Sequence, residues 1–378
     1  MRNLDVIEQA KLTIEQHCLA NPKTPVLLMV SGGCDSVALT YIACELAGAG
    51  ALGELALFHL NHNLRGQAAN EDEQFVEQLA KMLGIKLFKS SVNVAEIAKR
   101  EGGNIEAIGR RERYLAASAA LEKLCAKACC PTNEGRIFTA HTADDRAENF
   151  YMRAMVGTGP GGLRSMKYIN GPVARPLLDI SKQALKQYLE VRKANAKPCA
   201  QDAAGNIWRE DATNAHTDYF RAYVRHKVIP PIQERCPAHL EVLRRTMNLI
   251  ASEDDMLNAM AAKLVSTHMT WADANNKSEG GVLAPELGRS PRPLVRRAVL
   301  RVLAAMLPKH FRIDTASVEK VIDAWDNAGS ECENKSAKPR SGYTANICGN
   351  IAVSSNKRGV RLEPMAAYRA RRKRDRKQ

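Results

Sequence analysis

Residues 31–36 read Ser31-Gly32-Gly33-Cys34-Asp35-Ser36, between an apolar run at 26–30 and a helix-like stretch at 37–46. A strand that feeds a glycine turn and opens a helix offers bare backbone N–H groups, and the positive end of a helix dipole, to an anion. Gly32 and Gly33 lack Cβ and let phosphate oxygens approach the main chain. Ser31 and Ser36 add hydroxyl donors, and Cys34 stands between the glycines and Asp35. Asp35 only accepts hydrogen bonds when ionised and would repel phosphate unless a divalent cation bridged them, so bound Mg2+ is implied with Asp35 as its ligand. No Gly-Lys-Ser/Thr occurs in the chain, so this is not a Walker P-loop.

Three further segments carry groups able to do chemistry. His59, Asn61, His62 and Arg65 lie in HLNHNLRG at 59–66, at the exit of a second apolar run, where they suit adenine or ribose contacts and phosphate neutralisation. Glu106, Arg110 and Arg113 recur at i, i+4 and i+7 and share one helical face; that face either meets an anion or is a solvated surface with an ion pair. His141, Asp144, Asp145 and Glu148 occupy the face on which an amphipathic helix carries its apolar stripe. Three carboxylates beside a phosphate loop call for a cation, so Mg2+ or an ammonium-bearing substrate belongs there, unless the face is simply solvated. Zinc on these residues would leave the phosphate loop unexplained. GTGPGG at 157–162 satisfies GxGxxG, yet it follows a helix and contains Pro160. It reads as a mobile, glycine-hinged loop over the site and not as a dinucleotide fingerprint.

Strands alternate with helices around these segments. Residues 55–60 and 85–89 read as the second and third strands, 70–83 and 105–127 as helices, 136–140 as a strand, with a helix from 143. That order predicts an α/β fold, a mostly parallel sheet flanked by helices with ligands at the carboxyl ends of its strands. Beyond about 235 the pattern turns helical, at 240–264 and at 293–306, where Arg296, Arg297 and Arg301 cluster. Such an arginine face either contacts phosphates or is solvated. Residues 330–342 read as a polar loop and 343–353 as short strands. The expected domains are therefore 1–235, 236–364 and a basic, disordered tail at 365–378.

Composition sets the surroundings. The chain has 378 residues and a formal charge of +14, of which the last ten residues supply +6. A balance so basic favours a polyanionic partner over a small substrate alone. The start of the chain carries no apolar signal segment, and no run of about 18 apolar residues exists to span a bilayer, so the expected setting is cytoplasmic, away from membranes. Ten cysteines without paired CxxC spacing read as reduced thiols.

The ordered set SGGCDS, HLNHNLRG with its acidic helix, NIEAIGRRERY, AHTADDRAENFYMR, GTGPGGL and ARPLLDIS resembles the tRNA(Ile)-lysidine synthetase family, within the PP-loop ATP pyrophosphatase superfamily. Weaker likeness continues through 209–214 and 219–232. The resemblance implies a ligase forming a carbon–nitrogen bond. ATP would adenylylate C2 of the wobble cytidine in an isoleucine tRNA with a CAU anticodon, releasing pyrophosphate, and free L-lysine would then displace AMP to give lysidine. It implies catalytic roles for Asp35, Arg110, Arg113, Asp145 and Glu148, with Asp35 on the metal, Asp145 and Glu148 on the lysine, and both arginines on phosphate or the activated intermediate. Ser31 to Ser36, His59, Asn61, His62, Arg65 and His141 would line the nucleotide site, His141 orienting a carboxylate or the nucleotide. The C-terminal region would bind tRNA, and the resemblance leaves a homodimer open.

The chain departs from the family pattern at Arg146, Asn149, Val156, His216, Ala222 and Tyr223, where Gln, Thr, Arg, Asp and an Asn-Arg pair are usual, and the stretch 193–207 is long. Arg221 and Arg225 remain. The alternatives are a PP-loop tRNA thiolase, whose cluster-binding or catalytic cysteines lack their pairs here, an ATP-dependent amide synthetase, which has no need of so basic a chain, and a noncatalytic tRNA-binding protein.

Overall fold

The computed structural model describes residues 5–63, 66–210, 220–308, 311–329 and 344–375. The chain divides into two units, Met1–Ile250 and Ala251–Gln378.

The central strands of the first unit are apolar on both faces. In β1 (Val26–Met29), Val26 and Leu28 join one core while Leu27 joins another; in β2 (Leu55–Asn61), Leu57 joins the first while Ala56, Phe58 and Leu60 join the second. A strand with period-two side chains and no polar face must be covered on both sides. With β3 (Lys86–Ser91), β4 (Arg136–Phe138), β5 (Ile169–Asn170) and β6 (Val173–Ala174), these strands form a six-stranded sheet among the described residues, in the order β3-β2-β1-β4-β6-β5. All neighbours pair parallel except β5 with β6.

The helices of this unit are α1 (Val6–Gln16), α2 (Cys34–Gly48), α3 (Gln67–Leu83), α4 (Val94–Glu101), α5 (Ile105–Lys127), α6 (Ala143–Val156), α7 (Pro160–Leu163), α8 (Lys182–Ala194), α9 (Phe220–Tyr223), a π-helical turn Val224–Val228, and α10 (Ile229–Arg235). One core gathers Ala10 and Ile14 of α1, Phe75 and Leu79 of α3, and Leu185 and Leu189 of α8 around α2. The other sets Ala117, Ala120, Leu121 and Leu124 of α5 against the opposite face. Register aligns the strand ends: Leu28 pairs with Leu57 and with Phe138. The loops after β1, β2 and β4 therefore leave from one carboxyl edge, where an open α/β sheet binds its ligands.

A buried ionic cluster stands behind α6. Arg146 is 1% exposed; its Nη1 donates to the Tyr168 hydroxyl at 3.0 Å and its Nη2 to Asn248 Oδ1 at 2.7 Å. Tyr168 in turn donates to Asp179 Oδ1 at 2.7 Å and stacks on His17 at 3.5 Å between centroids.

In the second unit, β7 (Met269–Trp271), β8 (Gly281–Leu283), β9 (Thr344–Ile347), β10 (Ile351–Asn356) and β11 (Gly359–Pro364) form an antiparallel sheet in the order β7-β8-β11-β10-β9. The helix α11 (His239–His268) contains the division between the units, followed by α12 (Pro285–Gly288), α13 (Arg292–Met306), α14 (Thr315–Gly329) and α15 (Met365–Asp375). Arg292 and Arg296 pair with Glu319, and Arg297 pairs with Asp254. No helix among the described residues is long and apolar enough to cross a membrane.

Several features differ from the sequence reading, among them the expected glycine loop at 157–162, which carries the short helix α7 from Pro160. The first unit runs past 235 to Ile250, and within it Asn248 on α11 is a partner of Arg146. Residues 365–375 of the expected disordered tail form α15, where Arg371 clasps Glu363 of β11 at 2.6 Å. The helix α8 was not anticipated. The expected polar loop at 330–342 lies outside the described residues.

Replacing Arg146 with Leu strips the cation from a buried carboxylate, hydroxyl and amide. The expected loss is about 3 kcal/mol, read by urea unfolding, with a smaller loss for Arg146→Gln, which still donates.

Candidate active site

The phosphate loop is built by β1 and α2. Gly33 is the N-cap of α2, so Cys34, Asp35 and Ser36 form its first turn; the Ser36 N–H turns back to the Gly33 carbonyl at 3.0 Å, while those of Cys34 and Asp35 precede any helical carbonyl they could reach. Gly32 sits at φ +92°, a left-handed conformation that other residues take only under strain. The two serines set the loop's shape: Ser36 Oγ donates to the Gly33 carbonyl at 2.9 Å and accepts the Ser31 N–H at 3.2 Å. Burial, with Asp35 beside it, pushes the Cys34 thiol up to about 12. A thiol held so high is protonated at neutral pH, which works against a nucleophilic role.

The groups at the end of β2 divide between shape and surface. The buried His59 ring donates from Nδ1 to the Val30 carbonyl at 2.9 Å, tying the base of the phosphate loop to β2. Asn61 donates to Asn70 and Glu73 and accepts the Asn63 N–H at 3.0 Å. Their polarity shapes this strand exit. His62 Nε2 accepts from Arg113 Nη2 at 2.9 Å, which brings the α5 arginines to the same edge. Arg110 is exposed and lies over the Tyr114 ring. Arg65 lies outside the described residues.

The acidic face of α6 meets basic groups. Asp145 closes a capping box with Thr142: its Oδ2 accepts the Thr142 N–H at 2.9 Å and the Thr142 hydroxyl returns to the Asp145 N–H. Its other oxygen accepts from Arg221 at 2.9 Å and lies 3.3 Å from Lys182 Nζ. Burial pushes the Asp145 carboxyl up, but Lys182 and Arg221 overcome it and hold the group below its usual range. Glu148, 1% exposed, accepts Arg221 Nε at 2.7 Å and Arg225 Nε at 2.6 Å. Asp144 turns away and accepts the backbone N–H of Lys182 at 2.8 Å.

Lys182 joins the two halves, its Nζ lying 3.6 Å from Asp35 Oδ2 and 3.3 Å from Asp145 Oδ1. Burial disfavours the ammonium, yet Asp145 and Asp35 outweigh it and keep the group charged. Burial and the nearby Asp145 and Asp144 carboxylates push Asp35 up to about 6 despite Lys182. No three His, Cys, Asp or Glu side chains gather as a metal cage among the described residues. Magnesium needs none, because it binds through one or two carboxylates together with substrate phosphates, and Asp35 fits that donor set.

The sequence reading did not name Lys182 or Arg209 as site residues. The cue for Lys182 was Ser181, an N-cap residue ahead of the apolar spacing of Leu185 and Leu189; its hydroxyl accepts the Ala184 N–H at 3.2 Å.

His141 lies 2.9 Å from Thr139 Oγ1 through its Nδ1. Burial, reinforced by Arg175, Arg110 and Arg221 against Asp145, lowers its pKa from 6.5 to about 4. The folded chain binds fewer protons there than the unfolded chain between pH 4 and 6.5, so stability at this site rises with pH across that window. Histidine NMR should show a neutral His141 ring at pH 5.5, and His141→Gln should flatten the dependence of unfolding free energy on pH between 4 and 6.5.

Residues 5–232 match the family model of the PP-loop domain. A tRNA(Ile)-lysidine synthase of Geobacter sulfurreducens is 31% identical over 84% of this chain and 62% of its own length. One of Thermus thermophilus is 35% identical over 75% and 49%, and one of Chlorobaculum tepidum 29% identical over 72% and 77%. The chain spans about half to three fifths of the length of the Geobacter and Thermus relatives. With the matched region covering the sheet, the glycine loop and the acidic helix, the chain belongs to the PP-loop domain family.

Proposed function

We propose that the chain ligates free L-lysine to C2 of the wobble cytidine in an isoleucine tRNA with a CAU anticodon, using ATP and releasing AMP and pyrophosphate. The observation that carries this reading is the mixed-charge cleft beside the phosphate loop, Asp35–Lys182–Asp145 and Glu148 between Arg221 and Arg225. Free lysine has both signs of charge. Carboxylates that already hold the Lys182 ammonium suit a substrate ammonium, and Arg221 and Arg225 suit a carboxylate. The relatives that share the region bear the same activity in their names.

In the first step, the loop N–H groups and the N-terminus of α2 hold the triphosphate while the cytidine C2 oxygen attacks the α-phosphorus and pyrophosphate departs. Magnesium, held by Asp35 and the phosphates, would neutralise charge on the leaving group. Arg110 and Arg113 on α5 would meet the phosphate of the adenylylated base. In the second step, the substrate amine loses a proton and attacks C2, displacing AMP. Asp145 and Glu148 hold the incoming lysine beside that carbon. A tRNA thiolase would need paired catalytic or cluster-binding cysteines, and the ten cysteines show no CxxC pair.

The test incubates the protein with ATP, Mg2+, labelled lysine and a CAU-anticodon isoleucine tRNA transcript. Label is expected on the tRNA, and its failure to appear while the tRNA is bound would overturn the reading. Asp35→Asn is expected to lower pyrophosphate release by at least about 100-fold, the scale of a lost transition-state charge contact. Glu148→Gln should spare pyrophosphate release and impair lysine transfer, which separates the two steps in one assay.

A further inference from the structure

The geometry points to Arg209 as a positioning residue that latches the phosphate loop in its binding shape, an inference that rests on residues 31–36 being the ATP phosphate site. The backbone N–H of Arg209 donates to the Gly32 carbonyl at 2.9 Å. A peptide unit is planar and trans, so a carbonyl fixed toward Arg209 turns the Gly33 N–H to the opposite side. That N–H lies 3.4 Å from Ser31 Oγ, inside the loop. A Cβ on Gly32 would stand 3.4 Å from Arg209 Cγ and 3.6 Å from Phe75, so the side chain also lies close against the glycine.

The guanidinium is held from three directions. Nε reaches Asp72 at 3.0 Å and Nη2 reaches Glu71 at 2.8 Å, both on α3, while Nη1 reaches Asp202 at 3.2 Å. Asp202 is itself locked, its carboxylate accepting the Ala204 and Asn206 N–H groups at 2.9 Å and the Asn206 side chain at 3.1 Å. The segment is tied down upstream, where the Ala200 N–H donates to the Tyr41 hydroxyl at 3.0 Å and Ile207 is buried. Each donor edge of the fork has a carboxylate, so the charge is compensated within the chain and Arg209 acts through the loop's backbone. A turn that must present N–H groups to a polyanion loses affinity when it samples other conformations, and the latch removes those alternatives before the nucleotide arrives.

Two measurements on the full chain test this: the dissociation constant of α,β-methylene-ATP with Mg2+ by calorimetry, and amide hydrogen exchange over 31–36 against 37–46. Arg209→Met should weaken the analogue about tenfold, the scale of one lost charge-assisted interaction, and speed exchange at 31–36 while leaving 37–46 unchanged. Saturating analogue should restore protection. Arg209→Lys keeps the charge but loses the three-way fork, and should show the same pattern at several-fold; it carries the test if the methionine variant does not fold. Unchanged affinity and exchange in a folded variant, or faster exchange spread evenly over both segments, would overturn the latch. If the wild-type protein fails to bind the analogue, the ATP-site reading falls, while the exchange comparison still decides the latch.

Discussion

Carboxylates buried beside a loop made to hold phosphate are the constraint around which this unit is organised. Asp145 and Glu148 are buried and Asp35 is half-buried, so water screens them poorly, and a buried charge without a partner costs several kcal/mol. Lys182 reaches Asp35 and Asp145, Arg221 bridges Asp145 and Glu148, and Arg225 completes Glu148. These partners come from α8 and from the helical segment around 220–225, distant in sequence from α2 and α6. The packing of α8 on α2 is therefore an electrostatic requirement of the site as well as an apolar one.

The scaffold uses polar groups for geometry wherever the edge of the sheet must be held still. His59 fastens β2 to the Val30 carbonyl, Asn61 organises the turn after β2, and Asp144 caps the start of α8. Behind α6, Arg146 with Tyr168, Asp179 and Asn248 fixes the helix on the side away from the cleft. The acidic face is thus held from both sides, by cations in front and by a buried cluster behind.

Much of the frame was legible in the sequence. The glycine loop, the strand exits and the acidic helix are marked by residue types that few other environments accept: two adjacent glycines before a helix, and carboxylates where an apolar stripe belongs. Of the compensating cations, Arg221 and Arg225 stood out as retained family positions, but their pairing with Asp145 and Glu148 was not legible, and Lys182 was not marked at all. Lys182 is one of 55 Lys and Arg residues, and only tertiary packing distinguishes it; the same holds for Arg209, two of whose three carboxylate partners lie more than a hundred residues away on α3. His59 and Asn61 illustrate a second limit. A polar side chain at a strand exit can serve a ligand or the chain's own backbone, and the proximity of the Val30 carbonyl is a fact of register, which periodicity does not give. The tail at 365–375 shows the third. Its composition suits disorder, yet Glu363 on β11 supplies a counter-charge that helps hold it helical.

The alternation of sign along Asp35, Lys182, Asp145, Arg221, Glu148 and Arg225 bears on how one cluster would serve the two unlike ligands of the proposed reaction in turn. A purely cationic pocket would hold a triphosphate and repel an amine, and a purely acidic one would do the reverse. In an alternating chain each charge already has a partner, so an incoming ammonium can replace Lys182 on the carboxylates, and an incoming anion can draw an arginine, while few charges are left bare at any moment. The exchange energies are small because one charge-assisted contact is traded for another of the same kind. Selectivity then rests on geometry, on which ligand spans the spacing of these groups beside the phosphate loop, and that spacing is set by α2, α6 and α8 meeting at the carboxyl edge of one parallel sheet.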